Sequence, residues 1–390
     1  MSEQEAIVSR EDSAGKWSRR WLISVVNFCL SFAVMSSFIF IPLLGAQLGA
    51  SNLEVGLVGA VYGIAFLFSS LFSGWKSDHL GRLLFVRWGL LISSVAFAVQ
   101  LLADSVPLLM IVRGIVGFSL GIATAAIITY AFESGADMGK YSSYGSLGWI
   151  FGALAAALVG DIRLLFCLSC LVCLLAFFIS LDFRKAPSHK FSAPPSLWRV
   201  VRRDYRVYLA VFLRHVGAAA VWIILPLYFA SMGLDNFWIG LLWGINFTVQ
   251  FVVMRQLERF SEFKIFFYGQ LLSALFFIGL AYATGRFYLI IIQSVTGVAW
   301  ACLYVGALLI VMRSGEEKGT AGGIFQSTLN LCNAMGPFLG GLIAQVWGYR
   351  GVMFFAAALC VLGMIVTVPE NRNTPDKIGK YRATGTSYLR

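Results

Sequence analysis

The sequence predicts an all-α membrane protein with twelve transmembrane helices in two pseudo-symmetric six-helix bundles. Three observations predict it. The 390 residues are 59% hydrophobic and only 13% charged, where a soluble domain carries about 25% charged residues. Apolar runs recur along the chain at the length a helix needs to cross the hydrocarbon core, about 20 residues. The two halves repeat weakly: FIPLLGAQLGASNLEVGL lines up with LPLYFASMGLDNFWIGL, so that Pro42 falls on Pro226, Gly49 on Gly233, Asn52 on Asn236 and Gly56 on Gly240.

Each element follows in order. Residues 1–20 form a charged arm that ends in Arg19 and Arg20. Spans one to six are read at 21–46, 52–75, 83–103, 105–131, 139–160 and 162–182, making a first bundle over 21–182. Ser51 and Glu54 have the spacing of a capping box that opens span two. The stretch from Gly74 to Arg87, GWKSDHLGRLLFVR, breaks the apolar run and places Lys76, Asp78, His79 and Arg82 in a tight turn between spans two and three. Residues 183–205, with Pro187, Pro194, Pro195 and a cluster of Arg, form a linker. Within it Leu197–Val201 reads as a short interfacial helix, with Trp198 at the headgroup level. Spans seven to twelve are read at 206–231, 236–255, 264–284, 286–312, 318–346 and 349–368, a second bundle over 206–368, followed by a polar tail at 369–390.

The net charge is +11, and its placement argues against nucleic acid as a partner. Of the 30 Lys and Arg, only Arg163, Arg286 and Arg350 fall on one side and only Arg113 and Arg214 within spans; the rest gather on the other side. That asymmetry is the positive-inside pattern. It predicts a multi-pass protein of the cell membrane with both termini cytoplasmic and its basic face against anionic lipid headgroups. A monomer is expected. The seven cysteines, Cys29, Cys167, Cys170, Cys173, Cys302, Cys332 and Cys360, all fall inside spans, so no disulfide framework is expected. Cys167, Cys170 and Cys173 have a metal-like spacing but read as packing residues of an apolar helix. No Walker-type loop, zinc set or nucleophile constellation is present, so neither an enzyme nor a cofactor is predicted.

The turn carries a resemblance. Gly74, Asp78, Gly81 and Arg82 match the pattern G-x-x-x-D-[RK]-x-G-R-[RK], with His79 and Leu83 departing from it at two basic positions. In span four, Arg113 to Gly117 follows R-x-x-x-G. In span eleven, Gly336-Pro337-Phe338-Leu339-Gly340-Gly341 follows G-P-x-x-G-G. With two repeated halves, the chain from about 21 to 368 resembles the major facilitator superfamily. The resemblance implies a secondary transporter of a small molecule that works by alternating access, with spans one, four, seven and ten lining a central cavity. It also implies a gate made of Gly74, Asp78, Gly81, Arg82 and Glu133. Asp78 would sit near the start of span eleven, about 318–322, when the cytoplasmic side is shut. Arg82 would pair with Glu133 or Asp137. Both contacts are expected to break on opening.

Candidate binding residues are the costly or polar groups at membrane depth. Arg113 in span four and Arg214–His215 in span seven stand without a carboxylate at matching depth. They are expected to face each other across the pathway and hold an anion, since a guanidinium grips two oxygens at once. His215 would carry a proton with it; peripheral Glu133 is the other titratable candidate. Neutral polar residues recur at helical spacing: Asn27 and Ser31; Asn246 and Gln250; Gln293, Trp300 and Tyr304; Gln326, Asn330 and Asn333. Interhelical hydrogen bonds explain any one stripe, and four together suggest a watered cavity. The span-eleven stripe equally suits a contact with span two at Tyr62. The expected activity is proton-coupled transport of a small polar or anionic organic solute. The alternatives are drug-type efflux of lipophilic compounds, suited by 15% aromatic residues, and a non-transporting receptor or scaffold on the same fold.

Overall fold

The structure, a computed structural model, describes residues 3–136, 138–184, 197–315 and 318–367. Side chains are described from Trp21 onward, those of Asp78, His79, Met138, Gly139, Leu197, Glu258, Lys318 and Gly319 excepted. Among the described residues there is no strand.

Span one runs as Glu3–Phe38 and continues as Ile41–Gln47 after a turn. Pro42 lies in the first turn of the second piece, where a missing N–H costs nothing, and the Leu44 N–H to Phe40 carbonyl bond restarts the ladder at 2.9 Å. Spans two to six are Asn52–Leu80, Arg82–Val99, Val106–Glu133, Met138–Val159 and Ile162–Ser180. The linker helix is Leu197–Arg203, with Trp198 exposed and Val200 buried. Spans seven to ten are Tyr205–Ser231, Asn236–Met254, Glu262–Ala281 and Arg286–Arg313. Lys318–Thr367 is broken at Gly348 (φ 68°, ψ 179°) into spans eleven and twelve. An integral multi-pass membrane protein of twelve spans results.

The capping box is present: Glu54 N–H donates to Ser51 Oγ at 3.3 Å and Ser51 N–H to Glu54 Oε2 at 2.8 Å. The tight turn expected around Lys76, Asp78 and His79 is shorter than predicted. Span two stays helical to Leu80, and the chain reverses at Gly81 alone (φ 97°). Only glycine enters that left-handed region without strain, so a single residue replaces a loop. On the face away from the basic loops, the helix-free connections are also short, from one to four residues: 48–51, 103–105, 160–161, 232–235, 282–285 and Gly348.

Packing repeats between the halves. Span one lies on spans five and six, as span seven lies on eleven and twelve. Spans two and three pack on four, as eight and nine pack on ten. The halves meet where span two crosses eleven and span five crosses eight. There the backbones touch. A Cβ on Gly56 would stand 2.7 Å from Gly341 Cα, and one on Gly240 would stand 2.6 Å from Ala157 N. The G-P-x-x-G-G motif makes the three-way junction: Gly336 and Gly340 face span seven, while Pro337 and Gly341 face span two. Small residues let helices approach this closely in lipid.

These contacts are unevenly distributed along the molecule. One apolar core joins both halves toward the non-basic face, bringing Met35, Phe40, Val55 and Ala156 together with Ile224, Phe229, Leu242 and Trp243. Toward the basic face the cores separate. Ile23, Val26, Val86 and Ala123 belong to a first-half cluster, and Val207, Val211, Leu303 and Phe325 to a second-half cluster. The halves are therefore sealed at the non-basic end and more loosely joined at the basic end, where Arg255 Nη2 at the end of span eight donates to Ser143 Oγ of span five at 3.4 Å.

Candidate functional site

Trp300 on span ten is the hub of the site. The His215 ring stacks on it at 4.9 Å between centroids, and Trp222, two turns along span seven from His215, meets it edge-on at 6.1 Å. Tyr304 lies 5.5 Å away, one turn further along span ten, and leads to Phe325 of span eleven at 5.4 Å. Arg214 approaches from behind, its guanidinium carbon 4.9 Å from the Trp300 ring. Trp222, Trp300 and Tyr304 are half-buried, so this aromatic wall is partly open.

Arg214 is 0% exposed. Its Nε donates to Ser273 Oγ of span nine at 3.0 Å, and its Nη1 has no partner among the described groups. Arg113 is equally buried. Its Nη1 donates to Gln100 Oε1 at 2.9 Å, its guanidinium covers the Tyr62 ring at 4.4 Å, and its Nε is unpartnered. Neither guanidinium pairs with a carboxylate among the described residues. An aromatic face attracts a cation by about 0.5–2 kcal/mol, most when dry, and that contact replaces the missing acid. The two arginines, expected to face each other across the pathway, each turn into their own half. Tyr62, offered as a partner for span eleven, lies under Arg113.

The neutral stripes divide. Asn246 Nδ2 donates to Gln293 Oε1 at 3.2 Å, a buried bond between spans eight and ten. Asn27 Nδ2 donates to the Tyr141 carbonyl at 2.8 Å, tying span one to span five. Both are interhelical fastenings. The span-eleven stripe is more open: Gln326 and Asn333 are exposed, Asn330 is half-buried, and Gln326 Nε2 donates to Asn330 Oδ1 at 3.3 Å. Trp149 of span five and Phe247 of span eight meet edge-on at 5.2 Å across the halves. Sequence reading missed Trp222, Gln100 and Ser273. Only Trp222 left a signal, its seven-residue spacing from His215 in span seven.

At the gate, Arg82 Nε meets Glu133 Oε1 at 3.2 Å, and its Nη1 donates to Ser77 Oγ at 2.6 Å and to the Gly74 carbonyl at 3.2 Å. The pair expected to break on opening is formed in this arrangement. Both partners belong to the first half and move with it. The side chain of Asp78, and Asp137 altogether, lie outside the described residues. A Cβ on Gly74 would meet nothing within 4 Å. The second half carries the mirror pair with signs exchanged: Glu262 opens span nine and accepts from Arg313 Nη1 at the end of span ten, at 3.1 Å.

Comparison with known proteins agrees with this architecture. The Major Facilitator Superfamily profile matches residues 23–257 and 246–389. "Multidrug resistance protein MdtG" of Escherichia coli (strain 55989 / EAEC) is 25% identical over 386 residues, covering 91% of this chain and 95% of that protein. The protein of that name from Escherichia fergusonii is 25% identical over 392 residues, covering 92% and 95%. Among solved structures, a mutant of the nucleoside transporter NupG superposes with a TM-score of 0.74 at 16% identity, over 90% of this chain and 98% of that one. A D-xylose-proton symporter gives 0.74 at 17%, over 92% and 99%. With its profile matched across both halves and its fold shared, the chain belongs to the major facilitator superfamily of membrane transporters.

Proposed function

We propose that the chain transports an aromatic or lipophilic organic compound carrying a polar group, in the manner that the name of its multidrug-resistance relatives indicates. The observation that carries this reading is the Trp300 hub. A half-open wall of Trp222, Trp300 and Tyr304 suits an aromatic guest, because offset and edge-on ring contacts add about 0.5–1.5 kcal/mol beyond burial. The positive-inside asymmetry supports a cytoplasmic basic face, from which export would load. Proton coupling falls to His215, whose Nδ1 is unpartnered between Trp222 and Trp300. The second reading, a small polar or anionic solute, is favoured by the unpartnered Arg113 Nε and Arg214 Nη1.

Proteoliposome flux decides between them, with a lipophilic aromatic dye and an aromatic carboxylate as paired probes and a pH gradient applied or omitted. Trp300→Ala should abolish dye flux, and Arg214→Lys should spare it in folded protein. His215→Gln should flatten its pH dependence. Carboxylate flux alone, lost in Arg113→Lys and Arg214→Lys but kept in Trp300→Ala, would install the anion reading instead.

A further inference from the structure

Spans two and eight begin alike. Each opens with a capping residue, then Asn, then Gly one turn on: Ser51 and Asn52 lead to Gly56, and Asp235 and Asn236 lead to Gly240. Both caps are formed. Ser51 Oγ accepts from the Glu54 N–H at 3.3 Å, and Asp235 Oδ1 accepts from the Trp238 N–H at 3.0 Å. Capping by the preceding residue fixes the first turn and leaves each Asn side chain for another partner. The glycines bring the backbones of the two halves together, but such contact has no direction. The asparagines add direction. Asn236 Nδ2 donates to the Gly160 carbonyl at 2.7 Å, and Asn52 Oδ1 accepts from the Tyr349 hydroxyl at 3.3 Å. Both bonds cross from one half to the other.

The far partners correspond as well. Gly160 follows span five, and Gly348 divides span eleven from span twelve, with φ of 67° and 68°. The step that carries Gly148 to Gly336 and Gly152 to Gly340 also carries Gly160 to Gly348. Tyr349 is the next residue. The start of each half's second span therefore holds the hinge that precedes the other half's last span. Tyr349 is itself held in place. Its ring meets Tyr228 of span seven edge-on at 6.1 Å, and the Tyr228 hydroxyl donates to the Leu280 carbonyl at 3.0 Å. At the other hinge, a recess of about 160 Å³ beside Asp161 is lined by Gly160 and Asn236.

We infer that Asn52 and Asn236 form a reciprocal pair of clasps that hold the non-basic end shut, and that both are positioning residues for alternating access. One works through its amide oxygen and the other through its amide nitrogen. Neither bond survives separation of the halves at that end, because its two partners leave with different halves. Backbone contact at Gly56 and Gly240 sets how closely the halves fit, and the clasps set how often that end opens. One hydrogen bond of this kind shifts the open-to-closed ratio about threefold to tenfold. The clasps act whichever compound is carried.

The test uses the full chain in lipid nanodiscs. Spin labels on exposed Leu102 and Phe287, one in each half at the non-basic end, report opening as a longer distance by double electron–electron resonance. Encoded non-cysteine attachment leaves the seven native cysteines in place. Asn52→Ala, Tyr349→Phe and Asn236→Ala should each raise the long-distance fraction about threefold to tenfold relative to the short one. Combining Asn52→Ala with Tyr349→Phe should add nothing, since both remove one bond, whereas combining Asn52→Ala with Asn236→Ala should multiply the effects. Asn52→Asp keeps the acceptor and should stay closed. Asn236→Asp loses the donor, sets a carboxylate against a carbonyl and should open. Ser36→Ala removes a buried bond between spans one and six of the same half and should lower the thermal midpoint without lengthening the distance. Unchanged distances in all three clasp variants overturn the proposal. So does equal lengthening in Ser36→Ala, or Asn52→Asp and Asn236→Asp behaving alike.

Discussion

Arg214 shows what a charge at membrane depth needs. It is wholly buried, holds one hydrogen bond to Ser273 and lays its plane near Trp300. If aromatic contact and packing, rather than an ion pair, stabilise it, volume should matter more than charge. Arg214→Met should then leave the thermal midpoint nearly unchanged, since an apolar side chain of similar size avoids the desolvation cost. Arg214→Ala should cost about 2–5 kcal/mol through the space it empties, and Arg214→Lys should be destabilised because a compact ammonium is strongly hydrated and cannot stack. Thermal unfolding in one detergent compares the three. Arg113 and Arg214 were legible in the sequence as costly charges. Their partners were not, because a guanidinium on a ring obeys no sequence spacing: Tyr62 and Gln100 reach Arg113 from two other helices.

Between elements, the exchanged ion pairs are the sharpest sign of a duplicated design. Arg82 opens span three and meets Glu133 at the end of span four, while Glu262 opens span nine and meets Arg313 at the end of span ten. Reversing both signs in one half should therefore be tolerated. Arg82→Glu and Glu133→Arg should each cost about 1–3 kcal/mol, and the double variant should recover most of it in a double-mutant cycle. The Glu262–Arg313 pair, with Arg313 55% exposed, should give less than about 1 kcal/mol. The 184-residue offset that sets Pro226 on Pro42 sets Glu262 on Asp78, whereas the pairing sets it opposite Arg82. The second turn has no counterpart of Gly81, and its short helical turn Leu257–Arg259 displaces the register in a way that residue matching does not reveal. Twelve spans, the linker helix and the Ser51–Glu54 box were all readable from apolar length and capping chemistry.

At the scale of the molecule, the seal at the non-basic end rests on backbone contact. Gly56 and Gly341 admit no side chain, so Gly56→Val should hold that end apart and favour the opposite opening. A Cβ on Gly74 would meet nothing within 4 Å in this arrangement, so Gly74→Leu should fit here and obstruct closure of the basic end. A single cysteine at exposed Asn333 reports both effects. Its labelling from the basic face should fall in Gly56→Val and rise in Gly74→Leu, with equal labelling in both refuting the two-ended gate. Which end is sealed was not legible in the sequence. One set of residues must serve both arrangements, and the choice lies in whether cores such as those of Val26 and Val211 are joined or apart.

The short connections on the non-basic face have a consequence beyond folding. A reagent too large to slip between helices, such as an antibody or a protease, meets there only stretches like 160–161 and 232–235 and the single hinge at Gly348. That face offers almost no epitope and almost no cleavable strand. From that compartment the protein is nearly invisible to macromolecules, and whatever recognises or blocks it from there must be small enough to enter the recess beside Asp161, or must wait for that end to open.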